Sequence, residues 1–148
     1  MKKHIFFLFL LSMCLPTLAQ KKTDQCSENE FRVKKEAYIT KKAQLTPEEA
    51  AAFFPLYFEL QDLKSETNSQ AWIKGRKGKN PQTTESEYED IIQTFLEANQ
   101  KNNELEKAYL KKYREILSYK KIYMVLKAEI LFNRNMLKIM QSSKEETK

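Results

Sequence analysis

Apolar side chains recur through most of the chain at the three- and four-residue spacing of an amphipathic helix. The longest run precedes Leu117, and its apolar or small members are Tyr88, Ile91, Phe95, Ala98, Leu105, Tyr109 and Ile116. One seam position in this run is polar: Asn102 either fixes the register of the helix against a neighbour or lies exposed. No segment shows the two-residue alternation of a half-buried strand, so the pattern predicts an all-α fold.

Capping signals mark where the predicted helices begin. Thr46 with Glu49, and Thr84 with Glu87, have the spacing of a capping box, in which each side chain bonds the other residue's backbone N–H. The only two glycines stand at positions 75 and 78, in the one clear break of a helix-rich sequence. This break predicts two long helical hairpins made of four helices.

Each predicted hairpin joins two consecutive helices. The first pairs residues 28–43 with residues 47–72, and the second pairs residues 84–117 with a last helix that begins at residue 118. The third helix would be roughly 50 Å long, which is longer than a compact globule of this size. We therefore expect an elongated homodimer, because a thin monomer has too few layers to enclose all its apolar faces.

The last predicted helix carries two neighbouring apolar stripes. The first comprises Ile122, Val125, Phe132, Met136 and Ile139. The second comprises Tyr123, Leu126, Ile130, Leu137 and Met140. Together they are wider than one neighbouring helix covers, so the face is either buried on two sides or partly left for a partner.

The first nineteen residues have the composition of a secretory signal peptide. A positive start at Lys2 to His4 precedes an apolar run from Ile5 to Leu15 and a cleavage region that ends at Ala19. The apolar run is too short to cross a bilayer. We expect cleavage after Ala19, export to the periplasm and no stable membrane insertion. A retained amphipathic or membrane anchor is the alternative.

The rest of the chain divides into a mobile tail at residues 20–27, a helical domain at residues 28–141 and a disordered tail at residues 142–148. After cleavage the net charge is about +4, Cys26 is the only cysteine and no histidine remains. This excludes a Cys/His zinc site and a Cys/His or Ser/His catalytic pair. Cys26 either forms an intermolecular disulfide or is a free thiol. We predict no metal, no cofactor and no enzymatic activity.

Two helix starts carry a resemblance to a known family. In the segments LTPEE and LSYKK a leucine precedes a hydroxyl residue, and the second segment leads into a helix with a glutamate and a phenylalanine three apart. The residues concerned are Leu45, Thr46, Pro47, Glu49, Leu117, Ser118, Lys121, Glu129 and Phe132. On these residues the chain resembles the Spy/CpxP family of periplasmic stress proteins, whose motif is leucine-threonine-x-x-glutamine. Here Glu49 and Lys121 stand in place of the glutamines.

The resemblance implies a concave, antiparallel dimer that presents apolar and basic side chains to unfolded envelope proteins, without ATP. The candidate client-binding residues are Phe54, Phe58, Met124, Met136, Lys74, Arg76, Lys77 and Lys79. The alternative for the aromatic and methionine side chains is ordinary burial in the core.

The leading functional hypothesis is therefore a chaperone or envelope-stress protein. Its rivals are a regulatory adaptor that binds the sensor domain of an envelope signalling protein, and a structural helical protein without a client surface. Nucleic-acid binding is not expected, because glutamates are interspersed among the lysines and an exported protein does not meet nucleic acid.

Overall fold

The computed structural model describes the backbone of residues 17–145 and the side chains of residues 28–139, 141 and 142. In this part of the chain it has four helices and a short 3-10 turn, and it has no strand. The helices are α1 (Thr17–Ala43), α2 (Pro47–Gly75), α3 (Glu85–Ile116) and α4 (Tyr119–Glu145), and the turn is Arg76–Lys79. The predicted all-α fold of four helices is confirmed.

Helices α1 and α4 extend beyond their predicted limits. Helix α1 begins at Thr17 rather than near Glu28, and α4 continues to Glu145. No glycine or proline lies within α1 to interrupt it. Residues 1–16, which hold most of the predicted signal peptide, lie outside the described residues. Export, the mobility of residues 20–27 and the disorder of residues 142–148 therefore stay predictions.

The chain divides into two compact units between residues 36 and 37. In the described part of the first unit, α1 carries an exposed ion pair in which Arg32 Nη2 lies 2.8 Å from Glu28 Oε1. Pairs four residues apart stabilise a helix by a few tenths of a kcal/mol. The second unit comprises the last turns of α1 and all of α2, α3 and α4.

Helices α2 and α3 form an antiparallel hairpin, which is the most extensive helix contact of the second unit. Near the start of α2, the Phe53 ring lies 4.8 Å from that of Tyr113, measured between centroids. Near its end, the Trp72 ring lies 5.2 Å from that of Phe95. The glycine-containing break predicted a different pairing, of α1 with α2 and of α3 with α4. The difference arises because the glycine-containing break is a compact turn that folds one long helix onto the next.

The core lies at one end of this hairpin, where the end of α1 and the start of α4 join α2 and α3. We call this region the four-helix end. Its buried side chains are Ile39, Ala43, Leu45, Ala50, Phe53, Phe54, Tyr57, Leu60, Tyr109, Tyr113, Leu117, Ile122, Val125 and Ala128. The opposite end, residues 72–96, contains only α2, α3 and the 3-10 turn, and we call it the hairpin tip.

Asn102 lies between these two ends and is buried. Its Nδ2 donates a hydrogen bond to Asn68 Oδ1 at 2.7 Å, from α3 to α2. The exposed alternative for Asn102 is therefore wrong. A buried amide that bonds across a helix pair favours one register, and here the partner is within the same chain.

Candidate functional site

The first motif forms the N-terminal cap of α2 that its sequence predicts. Thr46 Oγ1 accepts a hydrogen bond from the Glu49 backbone N–H at 3.2 Å, and Glu49 Oε2 accepts one from the Thr46 N–H at 2.8 Å. Pro47 occupies the first helical turn, where a missing N–H costs nothing. The predicted capping box is confirmed.

The second motif caps α4 through its hydroxyl alone. Ser118 Oγ accepts a hydrogen bond from the Lys121 N–H at 3.2 Å. The leucines that precede the two caps, Leu45 and Leu117, are both buried in the same core. The two helix starts, distant in sequence, thus share one end of the hydrophobic core.

Glu49 and Lys121, one at each of these helix starts, bond each other. Lys121 Nζ lies 2.7 Å from Glu49 Oε1, and both side chains are about a quarter exposed. The hydrogen bond from Lys121, followed by the one from the Thr46 backbone, lowers the pKa of Glu49 below its ordinary value. This ion pair joins the start of α2 to the start of α4. It was not predicted, although opposite charges at matching positions of the two helix starts are a signal for it.

Glu129 and Phe132 support the core from α4. The Phe132 ring is buried 5.5 Å from the ring of Tyr38, between centroids. Burial raises the pKa of Tyr57 and of Tyr113, and the negative charge of Glu129 raises both further. These interactions give the two motif residues structural roles at the four-helix end.

The candidate client-binding residues fall into two groups. Phe54 is 3% exposed and lies in the core, so the core alternative holds for it. Phe58 and Met124 are half-buried at the edge of the core. Met136 is half-buried further along α4. These four side chains lie at the four-helix end and along α4, whereas the basic turn lies at the hairpin tip. The structure therefore does not bring the apolar and the basic candidates into one surface.

The basic residues belong to the hairpin tip. Lys74 Nζ lies 2.7 Å from Asp90 Oδ1 and is thereby neutralised. Arg76, Lys77 and Lys79 are exposed in the 3-10 turn. Among the described side chains no ion pair involves these three cations.

Large apolar side chains are exposed beside this turn. Trp72 is 67% exposed, although its ring meets that of Phe95 edge to face. Ile73, Ile92 and Leu96 are each more than half exposed as well. Trp72 lies on the same helix as the buried aromatic residues Phe53 and Tyr57. It is exposed because only one helix faces α2 at the tip.

The turn itself is held by specific contacts. A Cβ atom added to Gly75 would lie 2.9 Å from the outer edge of the Phe95 ring, so any larger residue here would displace that ring. The Tyr88 hydroxyl donates to the Gly78 carbonyl at 3.2 Å, and the Thr83 hydroxyl donates to the Lys77 carbonyl at 2.8 Å. The exposed cations therefore project from a defined backbone.

The second apolar stripe predicted on α4 is largely solvent-exposed. Tyr123, Leu126, Ile130 and Leu137 are 53–65% exposed, while Ile122, Val125 and Phe132 of the first stripe are buried. The structure thus favours the second of the two predicted outcomes, in which part of the face is left uncovered. Tyr119 extends the exposed stripe by one turn. We call these five exposed residues the α4 stripe.

Comparison with known proteins adds no relative. No family model matches the chain, and no curated protein or solved structure matches it either. The resemblance to the Spy/CpxP family therefore stays a prediction that depends on the two helix-start motifs. None of the helices in the described part of the chain is both long and apolar enough to span a membrane.

Proposed function

We propose that the chain is an exported, ATP-independent chaperone or envelope-stress protein that binds unfolded proteins at its hairpin tip. The observation that carries this proposal is the exposure of Trp72, Ile92 and Leu96 next to the exposed cations of the 3-10 turn.

Both parts of such a surface suit an unfolded client. Burying apolar surface gains about 25 cal/mol per Å² whatever the client sequence, so an exposed indole and two aliphatic side chains bind without requiring a defined fold. Cations attract acidic segments over a distance and raise the rate of encounter. The exposed Arg76, Lys77 and Lys79 are placed to do this.

An aggregation assay tests the proposal. Light scattering of an unrelated protein diluted from denaturant is measured with and without an equal amount of the purified chain. We expect the chain to slow aggregation. A Trp72→Ser/Ile92→Ser variant should lose most of this effect while keeping its helical circular dichroism and its melting temperature.

The matched control is Leu110→Ser, which replaces an exposed leucine of α3 outside both the hairpin tip and the α4 stripe. This variant should protect as well as the parent chain. A parent chain that leaves aggregation unchanged contradicts the chaperone proposal. If it instead captures one partner at fixed stoichiometry, the regulatory adaptor becomes the better hypothesis.

A further inference from the structure

The α4 stripe has the spacing of a coiled-coil seam. Its members follow one another at intervals of four, three, four and seven residues: Tyr119, Tyr123, Leu126, Ile130 and Leu137. Asn133 occupies the seam position inside the seven-residue interval. In heptad terms Tyr123, Ile130 and Leu137 are a positions, whereas Tyr119, Leu126 and Asn133 are d positions. The seam is about 27 Å long.

The core of the protein does not use this seam. The adjoining face of α4 is buried instead, at Ile122, Val125, Ala128 and Phe132. Every apolar seam residue, by contrast, is at least 53% exposed. Because the buried side holds α4 in place, the seam faces solvent along five turns of a fixed helix.

We propose that this seam binds a second copy of the chain, with α4 of each copy lying parallel to α4 of the other and in register about a two-fold axis. The resemblance implies an antiparallel dimer, so the structure of α4 points to a different arrangement. The pairing does not depend on client binding at the hairpin tip.

Asn133 favours a second copy over another apolar partner. An amide inside an apolar seam needs a donor and an acceptor opposite it, and it discriminates against partners that offer neither. A parallel, in-register copy places its own Asn133 at the same level, so the two amides can bond each other. A bilayer offers no such group, and the polar residue would interrupt an apolar face inserted into lipid.

The charges beside the seam distinguish the two orientations. Lys120, Lys127 and Arg134 follow one another at seven-residue intervals along one flank, at the e positions, and all are exposed. An antiparallel pair would set the two e rows against each other, which brings six cations together. A parallel pair instead places the two e rows on opposite flanks of the seam, so these cations do not face one another.

Sedimentation under reducing conditions tests the association. We expect a dimer at tens of micromolar, and Ile130→Glu should weaken it by more than about tenfold, which corresponds to 1.4 kcal/mol. The matched control is Ile73→Glu, because Ile73 is an equally exposed isoleucine at the hairpin tip. This control should leave the dimer intact. A monomeric parent chain, or a dimer that Ile130→Glu leaves unchanged, overturns the proposal.

Cysteine cross-linking tests the orientation. With Cys14 and Cys26 replaced by serine, Tyr123→Cys and Leu137→Cys are introduced separately. In a parallel, in-register pair both variants oxidise to disulfide-linked dimers. The two sites are about 21 Å apart along the helix. In an antiparallel pair, positions 123 and 137 therefore cannot each lie opposite the same position of the other copy. Cross-linking only in a mixture of the two variants would therefore disprove the parallel arrangement. Both variants keep α4 folded because their side chains are exposed, and circular dichroism checks this.

Discussion

Two aromatic residues of the same helix, Phe53 and Trp72, have opposite environments. Phe53 is 1% exposed and its ring meets those of Phe54, Tyr57 and Tyr113. Trp72 is 67% exposed and its ring meets only that of Phe95 among the described aromatic contacts. The difference follows from the number of neighbouring helices, since the four-helix end surrounds α2 and the hairpin tip covers one side of it. Burial along one helix is therefore set by how many layers surround each turn.

The largest expected effect is a core truncation at the four-helix end. Phe53→Ala removes the centre of the aromatic cluster and leaves a cavity, so we expect a loss of about 3–5 kcal/mol in the free energy of unfolding. Urea denaturation followed by circular dichroism measures it. The matched variant at the tip is Phe95→Ala, whose ring is half-buried. It should cost clearly less, and equal losses would show that the two ends are equally packed.

A smaller effect is expected between the two ends, at the buried amide pair. Asn102→Asp keeps the shape of the side chain but replaces the group that donates to Asn68 with a carboxylate. Leaving a buried group without its hydrogen bond costs about 2 kcal/mol, and more when it is charged. The loss should be greater at pH 7 than at pH 4, because protonation removes the buried charge. Asn103→Asp is the control, since Asn103 is exposed on the same helix.

The next effect is confined to acid pH and concerns Glu49 at the four-helix end. Its pKa lies below the ordinary 4.5 in the folded state because Lys121 and Thr46 bond the carboxylate. A carboxyl whose pKa is lower when folded stabilises the protein above its unfolded pKa. This stabilisation is lost as the pH falls through the folded pKa. We therefore expect the urea midpoint of Glu49→Gln to fall less than that of the parent chain between pH 5 and pH 3.

The hairpin tip supplies the control for Glu49. Glu87 has the same capping-box position in α3, and hydrogen bonds from Thr84 lower its pKa. It has no lysine partner comparable to Lys121 among the described side chains. The charge of Lys77 also lowers the pKa of Glu87, but no lysine bonds its carboxylate directly, so Glu87→Gln measures the box without such a bond. If Glu49→Gln and Glu87→Gln alter the acid dependence equally, the bond to Lys121 contributes nothing to it.

These local and distant interactions differ in how far sequence could predict them. The capping boxes at Thr46 and Thr84 depend on residues three apart, so both were predicted and both formed. The bond between Glu49 and Lys121 joins residues 72 apart, and it exists only because both helix starts share one core. The pairing of α2 with α3 was likewise missed, because hydrophobic spacing shows that a helix has an apolar face but not which helix covers it.

The burial of the candidate client-binding residues was also not predictable from the sequence alone. Helical spacing placed Phe53, Phe54 and Phe58 on neighbouring faces, but only the arrangement of the other helices decides that Phe54 is buried and Phe58 is half-buried. The surplus apolar width of α4 was visible in the sequence because two complete stripes do not fit one neighbour. Which stripe is exposed was not visible, since both have helical spacing.

The smallest expected effect on stability is at the tip, and it separates packing from function. Trp72→Ser removes a large side chain that is already mostly in water. Surface substitutions of this kind change the free energy of unfolding by less than about 0.5 kcal/mol, so the urea midpoint should hardly move. Protection against aggregation should nevertheless fall, because the same exposed indole would contact the client. A loss of stability as large as that of Phe95→Ala would mean that Trp72 mainly packs the hairpin. The exposed tip would then no longer support the proposed client site.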